Sequence, residues 1–224
     1  MDGCRWFLER AESSGSSKLR SSDKGSRVKV KVAIAVSGKG RSLENFLASD
    51  YPFEVSAVIT SNAKAGAVDI ARKHDLPLYF FDAKSPDAKG LEAWLKDHAI
   101  EWIALAGFLK IFPSLPAYAS HVVNIHPALL PSYGGHGMYG MKVHEAIAAA
   151  KEAESGATIH FVNECYDEGA IIAQGKVNIS SCVSADDIAH RVFELECRLY
   201  PAVLSRLVSG ELPLPQPMIW QYQE

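Results

Sequence analysis

Short apolar runs rich in β-branched residues alternate with segments of helical periodicity through most of the chain, and this alternation constrains the fold more than any other feature. Strands joined through helices run parallel, and a parallel sheet has both faces covered. The first strand is expected over Val28 to Val36, a run that alternates at its start and is wholly apolar at its end. A helix beginning over Leu43 to Ala48 follows, then strand Phe53 to Thr60, helix Ala65 to His74, strand Leu78 to Phe81, helix Asp87 to Asp97 and strand Trp102 to Leu105. After a helical turn near Ser114 to Tyr118 come a strand at Val122 and Val123, the helix Lys142 to Lys151, and strands Ala157 to Val162 and Ala170 to Val177. Ser184 reads as a helix cap with Asp187 three residues on. Ile188, Val192, Leu195, Leu199 and Val203 then mark an apolar stripe at helical spacing, and Pro201 is expected to bend that helix. The expected architecture is one α/β domain with a doubly wound, mostly parallel sheet over residues 28–224; the tail from Leu212 holds three prolines and no clear element. Residues 1–27, rich in serine and without periodicity, read as a disordered extension, and Asp2, Glu9, Glu12 and Asp23 speak against an organellar transit peptide.

In such a sheet, ligands bind beyond the carboxyl ends of the strands. The first turn there is Ser37-Gly38-Lys39-Gly40-Arg41-Ser42. Glycines between a strand and a helix let the backbone approach a ligand closely, and the free N–H groups of the helix start suit an anion, although a plain tight turn has the same composition. Leu43 stands where the third glycine of a dinucleotide fingerprint belongs, and the second strand ends in Thr60-Ser61-Asn62 with no ribose-binding acid, so a monophosphate fits better than NAD.

The second feature with chemical content is Asn124-Ile125-His126-Pro127 at the end of an apolar run. Residues two apart in a strand share a face, so the Asn124 amide and the His126 imidazole can aim at one point, as an oxyanion requires. An ordinary strand end with a half-buried histidine fits these two residues equally well. Pro127 and Pro131 then fix two φ angles and favour a shaped loop over a continuing strand. Four glycines between Gly134 and Gly140 mark a flexible loop, read as a lid or as a long surface connection. Asp167 lies in the acidic connection Asn163-Glu164-Cys165-Tyr166-Asp167-Glu168-Gly169, whose acids fit either solvation or a site.

The wording Ala106-Gly107-Phe108-Leu109-Lys110-Ile111 followed by Asn124-Ile125-His126-Pro127-Ala128-Leu129-Leu130-Pro131 resembles the glycinamide ribonucleotide formyltransferases of purine synthesis, and matching motifs run in order over roughly residues 30–210. The resemblance implies a Rossmann-like formyltransferase fold, a formyl transfer from 10-formyltetrahydrofolate to the amine of glycinamide ribonucleotide, and a cytoplasmic enzyme. It implies Asn124, His126 and Asp167 as catalytic residues; Gly40, Arg41 and Ser42 at the substrate phosphate; and Glu196 at the ribose. Folate contacts are implied at Leu109, Lys110, Ile111 and Phe112, at Asn124, and at Asn163, Glu164, Cys165, Tyr166 and Asp167, with a supporting role for His160. His136 and His144 find no such match and read as structural. The chain departs from the family in three places: its phosphate turn reads G-K-G-R-S where G-N-G-S-N is common, Lys110 stands where arginine is frequent, and the Gly134–Gly140 loop is longer. Lysine cannot reproduce a guanidinium fork.

Formyl transfer puts negative charge on the carbonyl oxygen and positive charge on the attacking nitrogen, so donors must meet the first and a proton acceptor the second. A carboxylate beside His126 is expected to hold the imidazolium form and to orient it. With a net charge of −3 and a sequence pI near 6.2, the chain lacks the electrostatic footprint of a nucleic-acid or anionic-membrane binder, and no apolar run is long enough to span a bilayer. Cys4, Cys165, Cys182 and Cys197 show neither C-x-x-C nor metal-site spacing, so no metal is expected and reduced thiols in a cytoplasm fit best. Small-molecule substrates are the expected partners; the sequence does not fix an oligomeric state. Three competing functions are weighed. A formyltetrahydrofolate deformylase would use the same residues with water as acceptor, but is expected to carry an added N-terminal domain. A methionyl-tRNA formyltransferase would append a C-terminal tRNA-binding domain. A non-catalytic ligand-binding module would bind without turnover.

Overall fold

Strand β1 (Val30–Ala35) alternates its side chains between two cores. Val32 and Ile34 point into one, while Ala33 and Ala35 point into the other, as the two-residue period of a strand requires. The computed structural model describes residues 29–211 and 218–221, and these form one α/β domain. The elements following β1 are α1 (Arg41–Leu47), β2 (Phe53–Thr60), α2 (Gly66–Lys73), β3 (Leu78–Phe80), α3 (Ala88–Asp97), β4 (Trp102–Leu105), a 3-10 turn at Pro116–Tyr118, β5 (Val122–His126), α4 (Met141–Ala150), β6 (Glu154–Phe161), β7 (Ile171–Asn178), α5 (Ala185–Val208) and β8 (Met218–Gln221). The sheet order is β3-β2-β1-β4-β5-β6-β7-β8. All neighbours run parallel except β5–β6 and β6–β7. The chain winds outward in one direction from β1 to β3 and in the other from β4, so the topological switch point lies between β1 and β4.

The larger core packs α1, α2, α4 and α5 on one face, through residues such as Leu43, Phe46, Val143, Ile147, Val192 and Leu204. The other face is covered by α3 through Leu91 and Leu95, and by Phe108, Phe112 and Tyr118. The helix start expected at the Ser184 cap is present, and Asp87 caps α3 in the same way. Asp87 Oδ1 accepts the Gly90 N–H at 2.8 Å, and Ser184 Oγ accepts the Asp187 N–H at 3.1 Å. Helix α5 continues through Pro201 as one element. Proline leaves the carbonyl four residues back without its helical partner. That carbonyl, on Cys197, instead accepts the Asn45 side-chain amide of α1 at 2.8 Å, so the missing bond becomes a tie between two helices.

Two expectations are corrected. Strand β6 begins at Glu154 rather than Ala157, because the polar Glu154-Ser155-Gly156 segment pairs with Lys176 to Asn178 of β7. The tail also forms an element, with β8 pairing in parallel with Ala173 to Lys176 of β7. Its apolar Met218-Ile219-Trp220 run follows directly on prolines, which hid the signal. The extension expected over residues 1–27 lies outside the described residues.

Candidate active site

A cavity of about 910 Å³ opens at the carboxyl ends of β1, β4 and β5, across the switch point. The loops around it are tied to one another. Ser37 N–H donates to the Gly107 carbonyl at 3.1 Å, Leu109 N–H donates to Ser37 Oγ at 3.2 Å, and the Ser37 and Ser61 hydroxyls share a 2.8 Å hydrogen bond.

One wall is built by strand register. Asn124 of β5 stands directly across from His160 of β6, and His126 across from Thr158. Cross-strand partners share a face and approach closely, so Asn124 Nδ2 reaches His160 Nε2 at 3.0 Å. The other His160 nitrogen, Nδ1, donates to the Phe161 carbonyl at 2.8 Å, which leaves Nε2 as the acceptor and fixes the orientation of the Asn124 amide. One amide hydrogen is thereby used, and the second is left for a ligand. Thr158 shapes the segment after His126. Its Oγ1 donates to the Ala128 carbonyl at 2.7 Å and accepts the Leu130 N–H at 3.0 Å, while Gln174 of β7 donates to the Leu130 carbonyl at 2.8 Å.

Asp167 completes this wall from the acidic loop, with backbone in the left-handed region at φ 58°. The loop turns back so tightly that a Cβ on Gly169 would lie 1.6 Å from the Phe161 carbonyl oxygen, which restricts that position to glycine. Asp167 Oδ2 lies 3.3 Å from His126 Nδ1 and accepts the Gly135 N–H at 3.0 Å, and Oδ1 lies 3.6 Å from His160 Nε2. Of the three acids in the loop, Asp167 is the one set against the histidines; Glu164 and Glu168 are exposed. Burial would raise the Asp167 pKa, but His160, His126 and the Gly135 N–H outweigh it and hold the carboxyl below its ordinary range.

His126 is buried, and its Nε2 lies 2.8 Å from the Tyr133 carbonyl. Both ring nitrogens therefore face acceptors, and only a doubly protonated ring donates to both. Burial nevertheless outweighs Asp167 and the Tyr133 carbonyl, and the His126 pKa falls below the ordinary histidine value. Burial thus opposes the carboxylate expected to hold the imidazolium form. His144, read from sequence as structural, is also in the cavity wall. Its Nδ1 is buried with no hydrogen-bond partner, and burial followed by the neighbouring His126 pushes its pKa down to about 4.

The opposite wall joins the first turn to α5. Gly40, at φ 84°, caps α1, and a Cβ there would come within 2.6 Å of the Ile70 side chain on α2. Arg41 follows, with its guanidinium carbon 4.0 Å from the ring centroid of Phe193 on α5. Glu196, one helical turn beyond Phe193, lines the same wall, and burial pushes its pKa up to about 7, against a partial pull from Arg41. Gly40, Arg41, Ser42 and Glu196 are thus brought together. Of the expected folate contacts, Leu109, Lys110 and Ile111 lie exposed at the mouth, and Phe112 is buried against Phe81 and Phe108 as its floor. Asn163, Cys165 and Tyr166 line the cavity, whereas Glu164 does not. The His136 ring, in the glycine-rich loop, meets the Tyr166 ring at 6.0 Å, so this loop packs against the acidic one. Sequence reading missed Phe193, Tyr133 and Thr158. Phe193 was legible as the residue three before Glu196 on one helix face; the other two depend on loop path and strand register.

Fold and site together define a doubly wound α/β protein with an Asn-His-Asp constellation at the switch-point cavity. The formyl transferase family model matches residues 30–204, and the chain belongs to that family. It is 34% identical over 218 residues to the chloroplastic phosphoribosylglycinamide formyltransferase of Vigna unguiculata, covering 90% of this chain and 70% of that one. It is 33% identical over 197 residues to the phosphoribosylglycinamide formyltransferase of Haemophilus influenzae, covering 82% and 90%. The crystal structure of the phosphoribosylglycinamide formyltransferase from Anaplasma phagocytophilum superposes with a TM-score of 0.76 at 25% identity, over 87% of this chain and all of that one.

Proposed function

We propose that this chain is a phosphoribosylglycinamide formyltransferase, moving a formyl group from 10-formyltetrahydrofolate to the amine of glycinamide ribonucleotide. The catalytic unit spans residues 28–224 in this reading. The observation that carries it is the convergence of Asn124, His126 and Asp167 in the wall of a cavity near the upper end of the usual ligand-pocket range, with room for two substrates.

The substrate amine attacks the formyl carbon and the C=O electron pair moves onto oxygen. The free Asn124 amide hydrogen meets that oxygen. The attacking nitrogen becomes cationic and gives up a proton to the His126–Asp167 pair. The oxygen pair re-forms the C=O bond as the carbon–N10 bond breaks; that bond's pair leaves on N10, which takes up the proton held by the His126–Asp167 pair, releasing tetrahydrofolate and formylated ribonucleotide. A His126 pKa lowered by burial suits this role, because the ring must release the proton it takes up. Gly40, Arg41 and Ser42 hold the phosphate and Glu196 the ribose. Leu109 to Phe112, Asn163, Cys165 and Tyr166 surround the folate, with no step assigned to a metal. The cytoplasmic assignment is part of the proposal, and fractionation of the tagged full-length chain tests it against a plastid.

An assay of 10-formyltetrahydrofolate consumption with and without glycinamide ribonucleotide decides the function. Formyl ribonucleotide formed only when both are present is the expected result. Folate consumed without the ribonucleotide would identify a hydrolase, and binding without consumption a non-catalytic module.

A further inference from the structure

The phosphate turn replaces the commoner small polar residues with Arg41, and a long flexible cation gains binding strength only if something holds it in place. The structure supplies that support from the other end of the chain. Arg41 is the first residue of α1, and its guanidinium lies over the Phe193 ring of α5 at 4.0 Å. A guanidinium stacked on a ring uses its face for the aromatic contact and keeps its N–H edge free, which is the edge that forks onto a phosphoryl oxygen pair. Phe193 and Glu196 are three residues apart and share a face of α5, and all three side chains line the cavity.

We propose that Phe193 is a positioning residue for the anionic end of the substrate: its ring holds the Arg41 guanidinium over α5 so that the N–H edge is presented to the phosphoryl group. The proposal rests on the ribonucleotide reading above, and its test uses inorganic phosphate as well as substrate so that the two can fail separately. Phe193→Leu is expected to raise KM for glycinamide ribonucleotide roughly 3- to 10-fold, the range of a partly desolvated cation–ring contact. KM for 10-formyltetrahydrofolate should stay put, which also reports an intact fold. Phe193→Tyr, which keeps the ring, should restore the wild-type KM. In an Arg41→Ala background Phe193→Leu should have no further effect, since the ring acts through the guanidinium. Calorimetric titration with inorganic phosphate should show the same pattern: weakened by Phe193→Leu, retained in Phe193→Tyr, and insensitive to Phe193 once Arg41 is gone. Equal phosphate affinity in wild type and Phe193→Leu, or an equal loss in the Arg41→Ala background, overturns the positioning role whatever the turnover. An enzyme that ignores glycinamide ribonucleotide yet shows the phosphate pattern would overturn the substrate assignment and keep the positioning role.

Discussion

At the β5 end of the cavity each functional side chain is held by a neighbour in the sheet or in the loop beside it: Asn124 by His160, His126 by Tyr133 and Asp167, and Asp167 by Gly135. At the β1 end, Arg41 is held by the ring of Phe193, on a helix that begins 144 residues later in the chain than Arg41. The first arrangement fixes donors to within a hydrogen-bond length before any substrate arrives, as transition-state stabilisation demands. The second holds a cation that, in the proposed reading, binds a remote group uniformly, and an aromatic contact with some rotational freedom is enough for that. Substitutions at the β5 end should therefore read out in kcat, and those at the β1 end in KM.

The largest expected effect is that of Asn124→Ala, a loss of about 10²–10³-fold in kcat by comparison with other oxyanion donors, with both KM values little changed. Steady-state kinetics check it, and a loss confined to KM would erase the contrast between the two ends. Asp167→Asn comes next, on the order of 10²-fold in kcat. Because the Asp167 charge raises the His126 pKa against burial, its removal should send the His126 titration further below the ordinary histidine value, which NMR of the ring protons measures. An unmoved titration with near-normal turnover would mean that another acid partners His126.

Arg41→Ala should raise KM for the ribonucleotide about 10-fold while lowering kcat much less. A fall in kcat equal to the rise in KM would place Arg41 with the transition-state contacts and dissolve the comparison. The smallest effect concerns Glu196. Its pKa is pushed up to about 7, so it is mostly ionised at pH 8 and mostly protonated at pH 6, and a protonated carboxyl is the weaker acceptor for ribose hydroxyls. KM for the ribonucleotide should accordingly rise a few-fold from pH 8 to pH 6 beyond the change seen in Glu196→Gln, since the substrate's own phosphate titrates alike in both proteins. Superimposable profiles would remove Glu196 from the ribose.

The order and type of the elements from β1 to α5 were legible in the sequence because apolar periodicity is a local property of a helix or strand. Strand Phe53–Thr60 and strand Trp102–Leu105 have the boundaries read from it. The pairing of Asn124 and His126 on one face was legible for the same reason, through the two-residue period. Spacing left Asp167, Glu164 and Glu168 alike and only the family resemblance named Asp167; its burial against the histidines is a property of the tertiary structure. The direction of the His126 shift also had to come from the structure: proximity to Asp167 favours the cation, and only the extent of burial reverses the sign. The early start of β6 escaped because its polar residues become strand only by pairing with β7, and β8 because its short apolar run follows directly on prolines. The sequence by itself determined the elements, the glycine turn and the strand that carries Asn124 and His126, because each is encoded within a few residues. Tertiary structure alone decided which side chains meet around the cavity, because Arg41 with Phe193, Asn124 with His160 and His126 with Asp167 are brought together only when distant segments pack.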